Sequence, residues 1–179
     1  QSLKLMKEKT GANYVIFAPN GVQKTAFSET IDYRTKRNVS DEELTAMIAY
    51  AKQLGLKVAL KPTANCADGT WRAHINFFDE DVVCEPKWSN WFASYRAFQE
   101  HYAGLAQQCG VDLFIAGCEM VQTERREAEW REVIAAIRRK YDGLVSYNTD
   151  KYQEHNVKWW DAVDVISSSG YYPIDDWDN

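Results

Sequence analysis

Short apolar runs alternate with longer amphipathic segments along the whole chain. Each run has about the length of a strand buried on both faces, and most runs end in glycine or a polar residue. The longer segments repeat apolar residues at helical spacing; Ser40 and Glu43 form a capping box before one of them, and Gly55 follows its end. The pattern predicts strands at 14–18, 56–60, 111–119, 144–147 and from 165, and helices at 2–9, 40–54, from 90, 123–141 and 157–163.

Strict alternation of strands and helices implies a parallel sheet with right-handed crossovers, as in a doubly wound fold or a (β/α)8 barrel. The barrel is favoured because no glycine-rich phosphate loop follows the first predicted strand and long loops recur after the strands. A barrel takes more than about 200 residues, whereas this chain has 179, opens in a helix and closes just after a strand. We therefore expect an α/β fold, a (β/α)8 TIM barrel present as a partial barrel of about strands 2 to 6. Residues 1–179 are expected to form a single catalytic-type barrel domain, truncated at both ends.

The run from Val111 to Glu119 is central to this plan, because it ends in glycine, cysteine and a carboxylate. A glutamate at the carboxyl end of a buried parallel strand lies where barrels place their chemistry, although a solvated or salt-bridged carboxylate also fits the pattern. Polar or aromatic residues follow the other predicted strands as well, which predicts one functional rim. The rim collects Asn20, Lys61, Asn65, Glu119, Asn148, Tyr171 and Tyr172.

Composition narrows the classes of partner. The net charge of -5 argues against nucleic acid or an anionic membrane surface as the main partner. No run approaches the roughly 20 apolar residues of a membrane span. Seven Trp and ten Tyr supply a core, and they also suit a cleft that binds the flat faces of sugars.

The reactive side chains do not predict a metal site. The three histidines lack ligand spacing, and the four cysteines form no CxxC pair or Cys/His cluster. Cys66 and Cys84 flank one long loop, so a disulfide in an exported protein and free thiols are both consistent with the sequence. Lys61 is expected to pair with a rim carboxylate, and Cys118 to be a packed thiol beneath the rim.

Several motifs together resemble glycoside hydrolase family 113, a set of β-mannanases within the clan of retaining (β/α)8 glycosidases. The resemblance covers almost the whole chain, and its most specific parts are the stretch 61–72 and the turn 117–119. The motifs are Lys61-Pro62, Asp68-Gly69-Thr70-Trp71-Arg72, Trp88 with Trp91-Phe92, Gly117-Cys118-Glu119, Trp130-Arg131, Trp159-Trp160-Asp161-Ala162 and Tyr171-Tyr172-Pro173.

The resemblance implies endo-acting, retaining hydrolysis of β-1,4-mannan, with Glu119 as the general acid/base at the end of the fourth barrel strand. The family's nucleophile is a glutamate after the seventh strand, and no residue of this chain matches it. Most of the clan has asparagine before the acid/base, where this chain has Cys118. No metal or organic cofactor is implied. The substrate-binding residues are expected to be Asn20, Lys61, Asn65, Trp71, Arg72, Asn148, Tyr171 and Tyr172.

Two alternatives stay open. A related clan glycosidase would act on another β-glycan, such as xylan or a glucan. A non-catalytic, carbohydrate-binding barrel remnant is the other, since these 179 residues alone lack the second carboxylate and are expected to be inactive. In the enzyme, the pKa of Glu119 is expected to be raised by an apolar setting or a like charge, with Trp71, Tyr171 and Tyr172 nearby.

Overall fold

The protein folds into parallel strands covered by helices in this computed structural model, which describes residues 2–36, 38–78 and 85–174. The main sheet has five parallel strands in the order β1-β3-β5-β6-β7. The remaining two strands form a separate parallel pair. In chain order the strands are β1 (Tyr14–Phe17), β2 (Asn20–Gln23), β3 (Lys57–Leu60), β4 (Thr63–Cys66), β5 (Leu113–Cys118), β6 (Leu144–Asp150) and β7 (Val165–Ser169).

Four α-helices connect or precede the strands in the described part of the chain. The capping box predicted for the second helix is present, since Ser40 accepts from the Glu43 amide and the Glu43 carboxylate accepts from the Ser40 amide. The helices are α1 (Ser2–Thr10), α2 (Asp41–Gln53), α3 (Glu85–Cys109) and α4 (Glu127–Arg138). No helix among the described residues is long and apolar enough to cross a membrane.

The helix predicted at 157–163 was wrong. The chain instead forms two short 3₁₀ turns, Glu154–Asn156 and Trp160–Ala162. The physical reason lies in two indole anchors: Trp159 donates to the carbonyl of Glu124 at 3.1 Å, and Trp160 donates to the carbonyl of Glu154 at 2.8 Å. These side-chain bonds hold a tighter path than a continuous α-helix.

The β2–β4 pair lies where the sequence predicted loops. Pro19 and Pro62 follow β1 and β3, and neither can donate to a strand ladder, so each strand is interrupted there. Parallel pairing resumes immediately afterwards, with Asn20 opposite Thr63 and Val22 opposite Asn65. Asn20 and Asn65 therefore lie on two short paired strands beyond the interruptions.

Aromatic side chains make up much of the core. One stripe of α3 is fully buried, and a second cluster joins α4, β6 and the turn before β7. In that cluster the rings of Trp130 and Trp159 are stacked, with their centroids 4.8 Å apart and an angle of 10° between their planes. Full burial of each such side chain contributes roughly 1.5–3 kcal/mol. The α3 stripe is Trp88, Trp91, Tyr95, Phe98 and Tyr102, and the second cluster is Trp130, Tyr147 and Trp159.

Cys66, Cys109 and Cys118 carry free thiols. Cys84, the suggested partner of Cys66, lies outside the described residues.

Candidate active site

The carboxyl end of β5 packs unusually closely against the core. An ideal Cβ on Gly117 would lie 2.5 Å from the hydroxyl of Tyr95 and 3.2 Å from the ring of Tyr147. The Tyr95 hydroxyl in turn donates to the Ala116 carbonyl at 2.7 Å. Only glycine fits this close approach of β5 to the Tyr95 hydroxyl. The chain leaves the sheet directly after this point, at Glu119.

Glu119 follows directly, and its backbone is left-handed, with φ of 52°. Non-glycine residues in this region are uncommon and cluster at functional sites, where surrounding bonds hold them. Two such bonds are present here. The Glu119 amide donates to the Asn148 carbonyl at 2.8 Å, and the Met120 amide donates to the Tyr147 hydroxyl at 3.0 Å.

The Glu119 side chain points into a cluster of donors. Its Oε2 accepts from Nη1 of Arg72 at 2.8 Å and from Nε1 of Trp71 at 3.1 Å. The Glu119 side chain is 15% exposed. Both donors come from the 3₁₀ turn Arg72–His74 and the residue before it, after β4. The loop after β4 therefore folds back over the end of β5.

A hydrogen-bonded chain continues from Arg72 across the two short strands. The guanidinium Nε and Nη2 donate to Oδ1 of Asn65 at 3.0 and 2.8 Å. The Asn65 amide then donates to Oδ1 of Asn20 at 2.5 Å. Glu119, Arg72, Asn65 and Asn20, four of the predicted site residues, thus form one continuous network.

Lys61 contacts a thiol where an ion pair with a carboxylate was expected. Its Nζ lies 3.7 Å from Sγ of Cys118. Cys118 is buried, in line with the packed thiol that was predicted. Burial raises the pKa of the Cys118 thiol, although the Lys61 charge opposes this, so the thiol is a packing group and not an activated nucleophile.

The pKa of Glu119 is lowered, which is the opposite of the sequence expectation. Burial raises it, but hydrogen bonds from Ser169 and Trp71 and the charges of Arg72 and Lys61 outweigh burial. Trp71 acts here through its indole N–H, where an apolar wall was expected. In the described arrangement the carboxylate is held in its ionised form.

The remaining predicted site residues lie around β6 and β7. The Asn148 amide donates to Ser169 Oγ at 3.0 Å, while its backbone carbonyl accepts from Glu119. The Tyr172 hydroxyl bonds to the Glu154 carboxylate, and its ring packs on Tyr152 at 5.2 Å. Tyr171 is 79% exposed. The structure thus places Asn148 beside Glu119, while Tyr172 contacts Glu154 and Tyr152 and Tyr171 is exposed.

Sequence reasoning missed two residues. Ser169 was not singled out from the sequence, yet its hydroxyl accepts from the Asn148 amide and helps to lower the pKa of Glu119. Glu124 was not singled out from the sequence, but it is buried and its pKa is raised to about 7, chiefly by burial. Its position five residues after a strand-end glutamate carries no recognisable signal.

The chemistry available at this rim is that of one carboxyl group surrounded by N–H and O–H donors. Among the described residues, no group of three or more His, Cys, Asp or Glu is arranged to hold a metal ion. Such a carboxyl can exchange a proton with a bound hydroxyl or ether oxygen, and the neighbouring amides can bind further hydroxyls.

Comparison with known proteins decides the family. The model of Glycoside Hydrolase Family 113 matches residues 1–179. The chain belongs to glycoside hydrolase family 113. The resemblance predicted from its motifs is therefore confirmed. A search of curated proteins found no match.

Solved structures of family 113 superpose closely. A β-1,4-mannanase of the family is 60% identical, with a TM-score of 0.94, over 99% of this chain and 57% of that chain. The β-mannanase AaManA from Alicyclobacillus acidocaldarius, in complex with ManMIm, is 44% identical, with a TM-score of 0.89, over 96% and 55%. The chain thus spans somewhat more than half the length of these relatives, and the predicted partial-barrel architecture is confirmed.

A more distant match shows the fold alone. The structure of two fungal β-1,4-galactanases shares 14% identity, with a TM-score of 0.59, over 94% of this chain and 55% of that chain.

Proposed function

We propose that the protein carrying this chain is a retaining β-1,4-mannanase in which Glu119 is the general acid/base. The observation that carries the proposal is the Glu119 carboxyl, held by a left-handed backbone at the carboxyl end of β5 and surrounded by donors. Membership of family 113 and 60% identity to a β-1,4-mannanase support the choice of substrate.

The reaction requires two carboxyls about 5–5.5 Å apart across the scissile bond. The nucleophile, which this chain does not supply, attacks the anomeric carbon while Glu119 transfers its proton to the leaving oxygen. Glu119, now ionised, then takes a proton from the water that releases the sugar. The same carboxyl therefore acts as acid in the first step and as base in the second.

The lowered pKa of Glu119 fits the second step, because Arg72 and Trp71 stabilise the ionised base. The first step needs the protonated acid. The negative charge of the second carboxylate, at about 5 Å, would raise the pKa of Glu119 and keep the proton in place until it is transferred. Formation of the glycosyl–enzyme ester removes that charge. The pKa of Glu119 therefore falls, and its carboxyl is ionised when the second step needs a base.

The surrounding side chains have the chemistry to bind sugar. Trp71 is 43% exposed and presents an aromatic face beside Glu119, suited to stacking on a pyranose ring. Lys61, Arg72 and Asn148 can hold hydroxyls around the scissile bond. Asn20 and Asn65 also line a cavity of about 560 Å³, which has room for a sugar unit. The rings of Tyr171 and Tyr172 are exposed and suited to stacking on a sugar unit further along the polysaccharide.

The test is a Glu119→Gln variant of the protein that carries this chain, assayed for reducing sugar released from mannan. Loss of a general acid/base lowers turnover by about 10²–10⁴-fold. Undiminished turnover would refute the role of Glu119. The same assay on xylan and β-glucan separates a mannanase from a related glycosidase, because the proposal predicts far faster release from mannan.

A further inference from the structure

A buried carboxyl lies beneath the Glu119 loop and has no part in the mechanism above. Glu124 is 1% exposed. Its Oε1 accepts from the hydroxyl of Tyr147 at 2.6 Å and from Oγ1 of Thr149 at 2.8 Å. Its Oε2 is buried and has no hydrogen-bond partner among the described residues.

The Tyr147 hydroxyl links this carboxyl to the backbone next to Glu119. It accepts from the Met120 amide at 3.0 Å while it donates to Glu124. Because an amide can only donate, the Tyr147 proton must point to the carboxyl, and Glu124 thus sets the direction of both bonds. The peptide that bears the Met120 amide begins at the carbonyl carbon of Glu119, so this bond fixes the orientation of the left-handed residue.

We propose that Glu124 and Tyr147 are positioning residues that hold Glu119 in its left-handed conformation, with its carboxyl in the donor cluster. This inference rests on the proposed function of Glu119. It assigns the two residues no contact with substrate.

The packing around Tyr147 supports the proposal. Its ring lies 4.9 Å from that of Trp130 and 4.8 Å from that of Trp159, so the hydroxyl has little freedom to swing away. Trp159 also donates to the backbone carbonyl of Glu124 at 3.1 Å. This bond holds the backbone of Glu124 close to the Tyr147 ring. The link is therefore rigid at both ends.

The unfavourable burial of the Glu124 carboxyl also supports a positioning role. Placing a carboxyl in the core is unfavourable, and its Oε2 remains without a partner in the described structure. Asp150 and Glu154 are the nearby charged groups that act on it, and both disfavour its ionised form. An apolar side chain here would suit stability better, but it could not accept the Tyr147 proton.

Tyr147→Phe and Thr149→Val form a matched pair for testing this link. Each removes one hydroxyl that donates to the same oxygen of Glu124, and both positions are fully buried on β6. Only Tyr147→Phe also frees the Met120 amide. On mannan, we expect Tyr147→Phe to lower kcat by about 10- to 100-fold with KM changed by less than about twofold. Thr149→Val should stay within about threefold of the parent kcat.

A second pair covers the case in which Tyr147→Phe folds poorly. Glu124→Gln keeps an acceptor for the Tyr147 hydroxyl, whereas Glu124→Leu removes it. We expect Glu124→Gln to retain clearly more kcat than Glu124→Leu. Equal kcat in Glu124→Gln and Glu124→Leu, or in Tyr147→Phe and Thr149→Val, would overturn the proposal.

A readout without substrate separates this inference from the mannanase assignment. The Glu119 carboxyl can be titrated by ¹³C NMR in the same protein. Tyr147→Phe should raise the pKa of Glu119, because a displaced carboxyl loses its bonds to Arg72 and Trp71, while Thr149→Val should leave it unchanged. An unchanged titration in Tyr147→Phe would overturn the positioning role. An inactive parent protein would instead refute the proposed function alone.

Discussion

Replacing Gly117 with alanine should destabilise the protein by forcing apart the core beneath the carboxyl end of β5. The added Cβ would lie 2.5 Å from the Tyr95 hydroxyl, about 1 Å inside van der Waals contact. Tyr95 cannot move away easily, since its ring stacks on Trp91 at 4.9 Å and its hydroxyl bonds to the Ala116 carbonyl.

The size of the effect follows from these contacts. Overpacking a filled core costs about 1–3 kcal/mol, and leaving the Ala116 carbonyl without its donor adds about 1 kcal/mol or more. A total of about 2–4 kcal/mol lowers Tm by roughly 4–16 °C for a protein of 150–250 residues. Differential scanning calorimetry of the parent and the variant measures this shift.

Gly104→Ala is the matched control. Gly104 lies inside α3, and a Cβ there meets nothing within 4 Å. Because alanine is the better helix former, this variant should gain up to about 0.5–1 kcal/mol. A Gly117→Ala protein that melts within about 1 °C of the parent would refute the close packing described for the end of β5.

Two further predictions concern pH. Arg72→Met removes the cation that favours the ionised form of Glu119, so the pKa of Glu119 should rise. The basic limb of the pH profile of kcat/KM should then move to higher pH. A basic limb at the parent's pH would contradict the ion pair. Glu124 has a folded-state pKa of about 7, above its unfolded value of 4.5, so the folded state holds the proton more tightly. Stability from this group is therefore present below about pH 4.5 and is lost as pH rises to about 7, by about 3 kcal/mol. Urea unfolding at several pH values should show that slope, and Glu124→Gln should lack it.

The sequence predicted the framework of the fold because that framework depends on local patterns. The alternation of strands and helices and the capping box at Ser40 both follow from short-range sequence patterns. The β2–β4 pair was missed because its four-residue strands follow Pro19 and Pro62 and contain few β-forming residues. The turns at 154–162 were mistaken for a helix because two tryptophan anchors override the local pattern.

The grouping of Asn20, Asn65, Arg72 and Glu119 could be predicted, but the electrostatics of Glu119 could not. Glu119 stands out because a carboxylate ends a buried strand, and the neighbourhood of Trp71 and Arg72 came from the family resemblance. The direction of the Glu119 pKa shift could not be predicted, since it depends on whether Arg72 reaches the carboxylate in space. The role inferred for Glu124 depends on a hydroxyl of β6, 23 residues further along the chain.

The central claim, that Glu119 transfers the proton in both steps, is tested most directly by chemical rescue of Glu119→Ala. The variant should lose most of its activity on mannan, while an aryl mannoside with a good leaving group still forms the glycosyl–enzyme. Added azide needs no base, so it should restore turnover and yield a β-mannosyl azide. Unchanged rates with azide and no azide product, or full activity of the variant on mannan, would contradict the account.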